Sequence, residues 1–75
     1  MNNQQLLEII KRLPLKNYED HGAIVAATDI YDACSTRGFN NTDIIKAKLE
    51  ILEQERAFRV VRGFDDIIIG VKGYH

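Results

Sequence analysis

The chain has 75 residues, of which 45% are hydrophobic and 28% are charged, and its formal net charge is −1. This composition is typical of a folded globular domain and excludes a disordered chain, although a domain of this length buries only about 60% of the surface that its unfolded chain exposes. No apolar run is long enough to cross a bilayer, and the start MNNQQLLEII lacks the basic residues and cleavage site of a secretory signal, so we expect one cytoplasmic domain over residues 1–75.

A first helix is predicted from about Asn3 to Arg12. Its apolar residues recur at helical spacing: Leu6, Ile9, Ile10 and Leu13. Asn2 or Asn3 can cap its start, and Pro14 disfavours its continuation. The segment LPLKNYEDHG that follows is interpreted as a connection, in which Asp20 can cap the next element.

Residues 21–36 admit two interpretations. Ile24 and Val25 could form a short strand, with Thr28 capping a short helix that follows. On a helical wheel, however, most apolar side chains of this segment fall on one side: Ile24, Ala27, Ile30, Tyr31 and Cys34. Because the first residues show no period-2 alternation, we expect one continuous helix from about His21 to Thr36, ended by Gly38.

A third helix is predicted to begin after Asn40 or Asn41, either of which can cap it, and to end near Arg56. One apolar stripe on it has the spacing of a core face: Ile45, Leu49 and Leu52. A second apolar row lies beside the first: Ile44, Ala47 and Ile51. Together with Ile68, this row is more apolar surface than a thin core needs, so we interpret it as an interface and expect a homodimer.

The segment RAFRVVRGFDDIIIGVKG, residues 56–73, is predicted to form a β-hairpin, because two β-branched runs flank a Gly-Phe-Asp-Asp turn. The expected faces alternate, with Phe58 and Val60 opposed to Arg59 and Val61 in the first strand. In the second strand the alternation predicts two further sets, Ile67, Ile69 and Val71 against Ile68 and Lys72. Phe64 at the turn could be an exposed contact residue or could fold back onto the helices.

The stretch DIYDACSTRGFNNTDIIKAKLEILEQERAFRVVRG resembles the core of a winged helix-turn-helix domain, with a helix, a Gly-containing turn, a helix that runs directly into a strand, and a basic wing. The resemblance covers about the last two thirds of the chain. It implies an α+β fold of three helices followed by a two-stranded antiparallel β-hairpin. It also implies a small DNA-binding transcriptional regulator, in which the third helix enters the major groove.

The resemblance further implies which residues would contact DNA. The contacts from the turn and third helix would be Arg37, Thr42, Asp43, Lys46, Ala47 and Lys48, and those from the wing would be Arg59, Arg62 and Lys72. The charge departs from this pattern, since residues 41–56 carry four acids against three bases. The alternative is a protein-interaction module that uses the same fold without DNA. Its interface would comprise Ile44, Ala47, Ile51, Phe64 and Ile68.

No residue set points to catalysis. The single cysteine, Cys34, cannot form an internal disulfide, and a lone cysteine on an apolar helix face is a core residue more often than a nucleophile. The acidic pairs lack a companion histidine for a metal site, and no glycine-rich phosphate loop is present. We therefore expect no enzymatic activity and no cofactor or metal.

Overall fold

The computed structural model describes residues 1–73, which form three α-helices and one four-stranded antiparallel sheet. The elements in chain order are α1 (Asn3–Lys11), β1 (Lys16–Tyr18), β2 (Gly22–Ala26), α2 (Ala27–Thr36), α3 (Thr42–Gln54), β3 (Arg59–Arg62) and β4 (Ile68–Lys72), with a short 3-10 turn, Phe64–Asp66, between β3 and β4. The strand order in the sheet is β1-β2-β4-β3. The α+β class is confirmed, but the sheet has two strands more than the predicted hairpin.

The predicted positions of α1 and α3 are confirmed, and side-chain caps explain where both helices begin. At α1 the Asn2 side chain accepts a hydrogen bond from the Gln5 backbone N–H at 2.8 Å, and the Gln5 side chain accepts one from the Asn2 N–H at 2.9 Å. At α3 the Asn41 side chain accepts from the N–H groups of Asp43 and Ile44.

The predicted continuous helix from His21 to Thr36 is wrong, because Gly22–Ala26 is a strand and α2 begins only at Ala27. This strand, β2, lies inside the sheet, with Val25 opposite Val71 of β4 and Ile24 opposite Lys16 of β1. Val25 packs into the main core, whereas Ile24 is fully buried and its Cδ1 atom lies over Gly70. Residues 24–26 are therefore buried on both faces of β2, whereas Gly22 and Ala23 are exposed, and the strand lacks the alternation by which a half-buried strand is recognised.

The segment that was interpreted as a connection contains β1, and residues 19–21 link it to β2. The His21 N–H donates to the Tyr18 carbonyl oxygen, and Gly22 takes a left-handed conformation (φ 75°). Asp20 therefore lies in a β-turn region rather than capping a helix. Lys16 of β1 forms an ion pair with Asp29 of α2, with 3.0 Å between Nζ and Oδ2, which ties the added strand to the helical layer.

The hairpin of β3 and β4 is confirmed, but its faces differ from the predicted alternation. A register shift between Val61 and Arg62 leaves Ile69 without a directly opposite residue in β3. As a result Ile68, which was predicted to be an interface residue, is half-buried and packs against the core. Val71, which was predicted to lie on the opposite face from Ile68, belongs to the same core.

One hydrophobic core lies between the helices and the sheet. It contains Leu6, Ile9, Ile10, Val25, Ile30, Cys34, Ile45, Leu49, Leu52, Phe58, Val60 and Val71. Within residues 1–73 no helix is long and apolar enough to cross a membrane, and no group of three or more His, Cys, Asp or Glu side chains could hold a metal ion.

Candidate functional site

The outer surface of α3 carries an apolar row that the core does not use, and we call Ile44, Ala47 and Ile51 the α3 row. Ile44 is 53% exposed and Ile51 is 43% exposed, and Ala47 between them is also exposed. The row faces outward because the core stripe of α3, Ile45, Leu49 and Leu52, is buried. The predicted exposure of this second row is therefore confirmed.

Phe39 extends the apolar surface from α3 towards α1. The α2–α3 turn holds it in place through two backbone hydrogen bonds, from the Phe39 N–H to the Cys34 carbonyl oxygen and from the Gly38 N–H to that of Ser35, both 2.9 Å. Gly38 has the left-handed conformation that this helix-ending motif requires (φ 86°). Phe39 remains 38% exposed, so the turn presents its ring without burying it.

Two adjoining cavities flank Phe39, and we call them together the Phe39 groove. One cavity, of about 270 Å³, lies against α1 and is lined by Glu8 and Ile9 of that helix and by Arg12 just after it. The other, of about 250 Å³, lies against α3 and is lined there by Ile44, Ile45 and Lys48. Met1 and Phe39 line both cavities. The groove thus joins the surface of α1 to the start of the α3 row.

The charged residues that line the Phe39 groove are mostly basic: Glu8, Arg12, Arg37 and Lys48. Within residues 1–73 none of the three cations has a carboxylate within 4.0 Å, and the Arg37 guanidinium donates only to the Ala33 carbonyl oxygen at 3.0 Å. Glu8 accepts a hydrogen bond from Gln4. The groove is therefore mainly apolar, and most of the charged residues that line it are basic.

Arg62, a predicted DNA contact, is instead engaged by α3. Its guanidinium lies 3.4 Å from Glu53 Oε1 and 3.7 Å from Glu50 Oε1. The second oxygen of Glu53 accepts a hydrogen bond from the Val60 N–H at 2.8 Å. Glu53 therefore satisfies a backbone donor of the edge strand β3 and fixes the hairpin to α3, which makes Arg62 less available to a phosphate.

The tip of the hairpin is apolar and acidic rather than basic. Phe64 is 87% exposed, so its ring does not fold back onto the helices. Asp65 and Asp66 follow it in the left-handed region (φ 59° and 62°), which aspartate tolerates better than most residues. The Gly63 N–H closes the turn by donating to the Ile67 carbonyl oxygen at 2.8 Å.

A second basic cluster lies at the base of the hairpin. Arg59 of β3 and Lys72 of β4 are directly opposite each other, and both line an open cavity of about 560 Å³ together with Arg56 and Glu53. Within residues 1–73 none of these three cations has a carboxylate within 4.0 Å. This cavity shares no lining residue with the Phe39 groove.

The predicted DNA contacts thus fall into separate groups. Lys46 and Lys48 are two positions apart on α3, which places them about 160° apart around the helix axis. Lys48 lines the Phe39 groove, as Arg37 does, whereas Lys46 lines neither the groove nor the hairpin cavity. Thr42 and Asp43 are exposed in the first turn of α3. The structure does not gather these residues with Arg59 and Lys72 around one cavity.

Several residues of these surfaces were not singled out from the sequence as site residues, among them Arg12, Phe39 and Arg56. The position of Phe39 two residues after Arg37 and next to Gly38 is the signal that could have indicated a presented ring. Arg12 had no such signal, because its approach to the groove depends on how α1 packs. Searches with family models, curated proteins and solved structures found no match to this chain.

Proposed function

We propose that the chain is a protein-interaction module on a winged-helix-like scaffold, and that the α3 row and the adjoining Phe39 groove are its recognition surface. The observation that carries this proposal is the exposure of Ile44 and Ile51, at 53% and 43%, on a helix whose core stripe is already buried. Exposed apolar side chains that lie together on a small domain are typical of a surface that a partner covers.

The charges around α3 and the hairpin support the same proposal. A protein that binds duplex DNA gains most of its non-specific affinity by neutralising phosphates with Lys and Arg. Here Arg62 is occupied by Glu50 and Glu53, and the tip carries Asp65 and Asp66 beside Phe64. Phosphates approaching along the hairpin would meet acidic groups at its tip.

The winged-helix-like description rests on the order of the elements. The helix pair α2 and α3 is joined by the tight turn around Gly38, and α3 leads within a few residues into β3 of the hairpin. This arrangement supports the scaffold that the sequence pattern suggested, with β1 and β2 extending the sheet beyond the hairpin.

A photo-crosslinking experiment tests the proposal. A photoreactive amino acid replaces Ile51 in the α3 row and, as a control, Thr28 at the exposed start of α2. In lysate of the cells that carry the gene, we expect a discrete protein adduct from position 51 only, which Ile44→Asp in the same chain abolishes. Equal labelling at both positions, or adducts insensitive to Ile44→Asp, would contradict the proposal.

DNA binding with transcriptional regulation is the second candidate, and the basic cluster of Arg56, Arg59 and Lys72 favours it. If this cluster binds phosphates, Arg59→Ala weakens binding to all duplexes about equally. It also reduces the slope of log affinity against log salt concentration by about one. Fluorescence anisotropy with a labelled duplex decides between the candidates. The first candidate predicts no duplex affinity tighter than about 10 μM at low salt, where non-specific attraction is strongest.

A further inference from the structure

We propose that the Phe39 groove binds an amphipathic helix whose apolar side chains are flanked by acidic residues. This inference rests on the proposed function and names the chemistry of the partner. The part of the surface that determines specificity is the groove beside Phe39, and not Ile51 or the hairpin tip.

The groove consists of two adjoining cavities, of about 270 and 250 Å³, and Met1 and Phe39 line both of them. Consecutive anchors of one helix could therefore enter the two cavities. Anchors at i and i+4 on a helix are about 6 Å apart along its axis, which suits neighbouring shallow cavities.

The walls of the groove also favour a helical occupant. One wall is α1 together with Arg12 just after it, and the other is the first part of α3 around Ile44 and Lys48. Side chains three and four positions apart on such helices form ridges between which a third helix can pack. An added β-strand would need free backbone groups along an edge strand, and within residues 1–73 no strand residue lines the groove.

The charge around the groove selects an acidic partner. Arg12, Arg37 and Lys48 line the groove, and within residues 1–73 no carboxylate lies within 4.0 Å of them. Among the described residues, Glu8 is the one acidic residue that lines either cavity. Complementary charges at the rim of an interface increase the association rate and exclude partners of the wrong sign. A helix with Glu or Asp beside its apolar anchors carries charges complementary to these cations, whereas a helix flanked by lysine does not.

A displayed peptide library tests the inference directly. Each peptide has a helical apolar face, and its flanking positions are randomised among Glu, Gln and Lys. Selection on the full chain is expected to enrich Glu and deplete Lys at the flanks. Failure to enrich any binder, or enrichment of Lys, would overturn the inference.

Two matched charge reversals locate the binding site. Lys48→Glu reverses a charge inside the groove, and Lys46→Glu makes the same change about 160° away around α3. For a selected acidic peptide we expect Lys48→Glu to weaken the affinity at least about tenfold and Lys46→Glu to change it less than about twofold, both measured by anisotropy at 50 mM salt. Equal effects of the two variants would overturn the assignment to the groove.

Phe39→Ala provides an independent readout. It removes the ring that lines both cavities but leaves the backbone hydrogen bonds of the turn available, and circular dichroism checks that the helices remain folded. We expect a loss of affinity of at least about tenfold, as for an interface anchor. If crosslinking at position 51 identifies a partner whose binding tolerates Phe39→Ala and Lys48→Glu, the proposed function stands and the assignment to the groove falls. If position 51 gives no specific adduct, the proposed function falls as well.

Discussion

The carboxylate of Glu53 makes two contacts with strand β3, one with the Arg62 guanidinium at 3.4 Å and one with the Val60 backbone N–H at 2.8 Å. Glu50 approaches only the guanidinium, at 3.7 Å. The two acids therefore contribute differently to stability although both are acidic residues of α3. Glu53 accepts a hydrogen bond from a backbone N–H of an edge strand, which would otherwise have to bond to water. Glu50 adds only one partly exposed ion pair.

We expect Glu53→Ala to lower the free energy of unfolding by about 1 to 2 kcal/mol, since it removes a charge-assisted hydrogen bond to a backbone donor. Glu50→Ala is the matched control and should cost less than about 0.5 kcal/mol. Urea denaturation measures both values, and hydrogen exchange of the Val60 amide should accelerate only in Glu53→Ala. Equal costs for the two variants would contradict the assigned role of Glu53.

Gly70 allows the close packing of β2 against β4. A Cβ atom at this position would collide with the Val25 carbonyl oxygen and would lie 2.9 Å from Ile24 Cδ1. We expect Gly70→Ala to destabilise the protein by more than about 2 kcal/mol or to prevent folding, because a backbone atom cannot move aside as a side chain can.

Gly38→Ala is the comparison for this prediction. A Cβ at Gly38 would meet no atom within 4 Å, so its cost arises only from the left-handed backbone and should be about 1 kcal/mol. Thermal unfolding monitored by circular dichroism ranks the two variants. A Gly70→Ala variant as stable as Gly38→Ala would mean that β2 does not lie against β4 as described.

Helices α1 and α3 were predictable because their signals are local. Asn2 and Asn41 cap α1 and α3, and the core stripes recur within each helix at the spacing of one helical turn. The hairpin was predictable for the same reason, since the Gly-Phe-Asp-Asp turn lies between two β-branched runs. Each of these signals acts within about a dozen residues.

The two additional strands were missed for different reasons, since β2 pairs with a distant strand, whereas β1 pairs locally but lacks the residue pattern of a strand. Val25 pairs with Val71, which is far along the chain, and its neighbour Ile24 is buried on the opposite face beneath the space that Gly70 leaves. The residues of β1, Lys16–Tyr18, include two exposed polar side chains and carry no apolar pattern at all. The groove was missed for a related reason, because Phe39 and Arg12 meet only after α1 has packed against the α2–α3 turn.

The thiol of Cys34 is fully buried, and burial raises its pKa, with a smaller opposing influence from the Arg37 charge. A thiol buried in the core of the native state reacts only when the structure opens. We therefore expect labelling by a maleimide at pH 7.5 to be slow in buffer and fast in 6 M urea. Rapid native labelling would contradict the burial of Cys34.

Because the pKa of Cys34 is raised in the folded state, the stability of the protein depends on pH. The folded pKa is above the unfolded value, so the folded state holds the thiol proton more tightly, and this contribution to stability is complete below the pKa of the thiol in the unfolded chain. It is lost as the pH rises from there through the folded pKa. Cys34→Ala should lack this component of the decline, and urea midpoints between pH 8 and pH 10 measure the difference.

Self-association through the α3 row remains a prediction. Of the residues that suggested a dimer, Ile44, Ala47 and Ile51 are exposed and Ile68 packs against the core. In an antiparallel pair of α3 helices, Ile44 of one copy would lie near Ile51 of the other, with Ala47 near the crossing point. The small side chain of Ala47 would allow the helices to approach closely.

Sedimentation equilibrium from about 10 to 500 μM tests this association. The range extends to high concentration because we expect so short a row to bury less than the roughly 800 Å² per partner of a standard interface and therefore to associate weakly. We expect a concentration-dependent dimer that Ile51→Glu converts to a monomer, since a carboxylate would be buried without a partner. Phe64→Glu is the control, because Phe64 lies at the hairpin tip and is 87% exposed, outside this helix pairing. A monomer over the whole range would exclude the second copy and leave the α3 row free for a different protein, whereas a dimer unaffected by Ile51→Glu would require another interface.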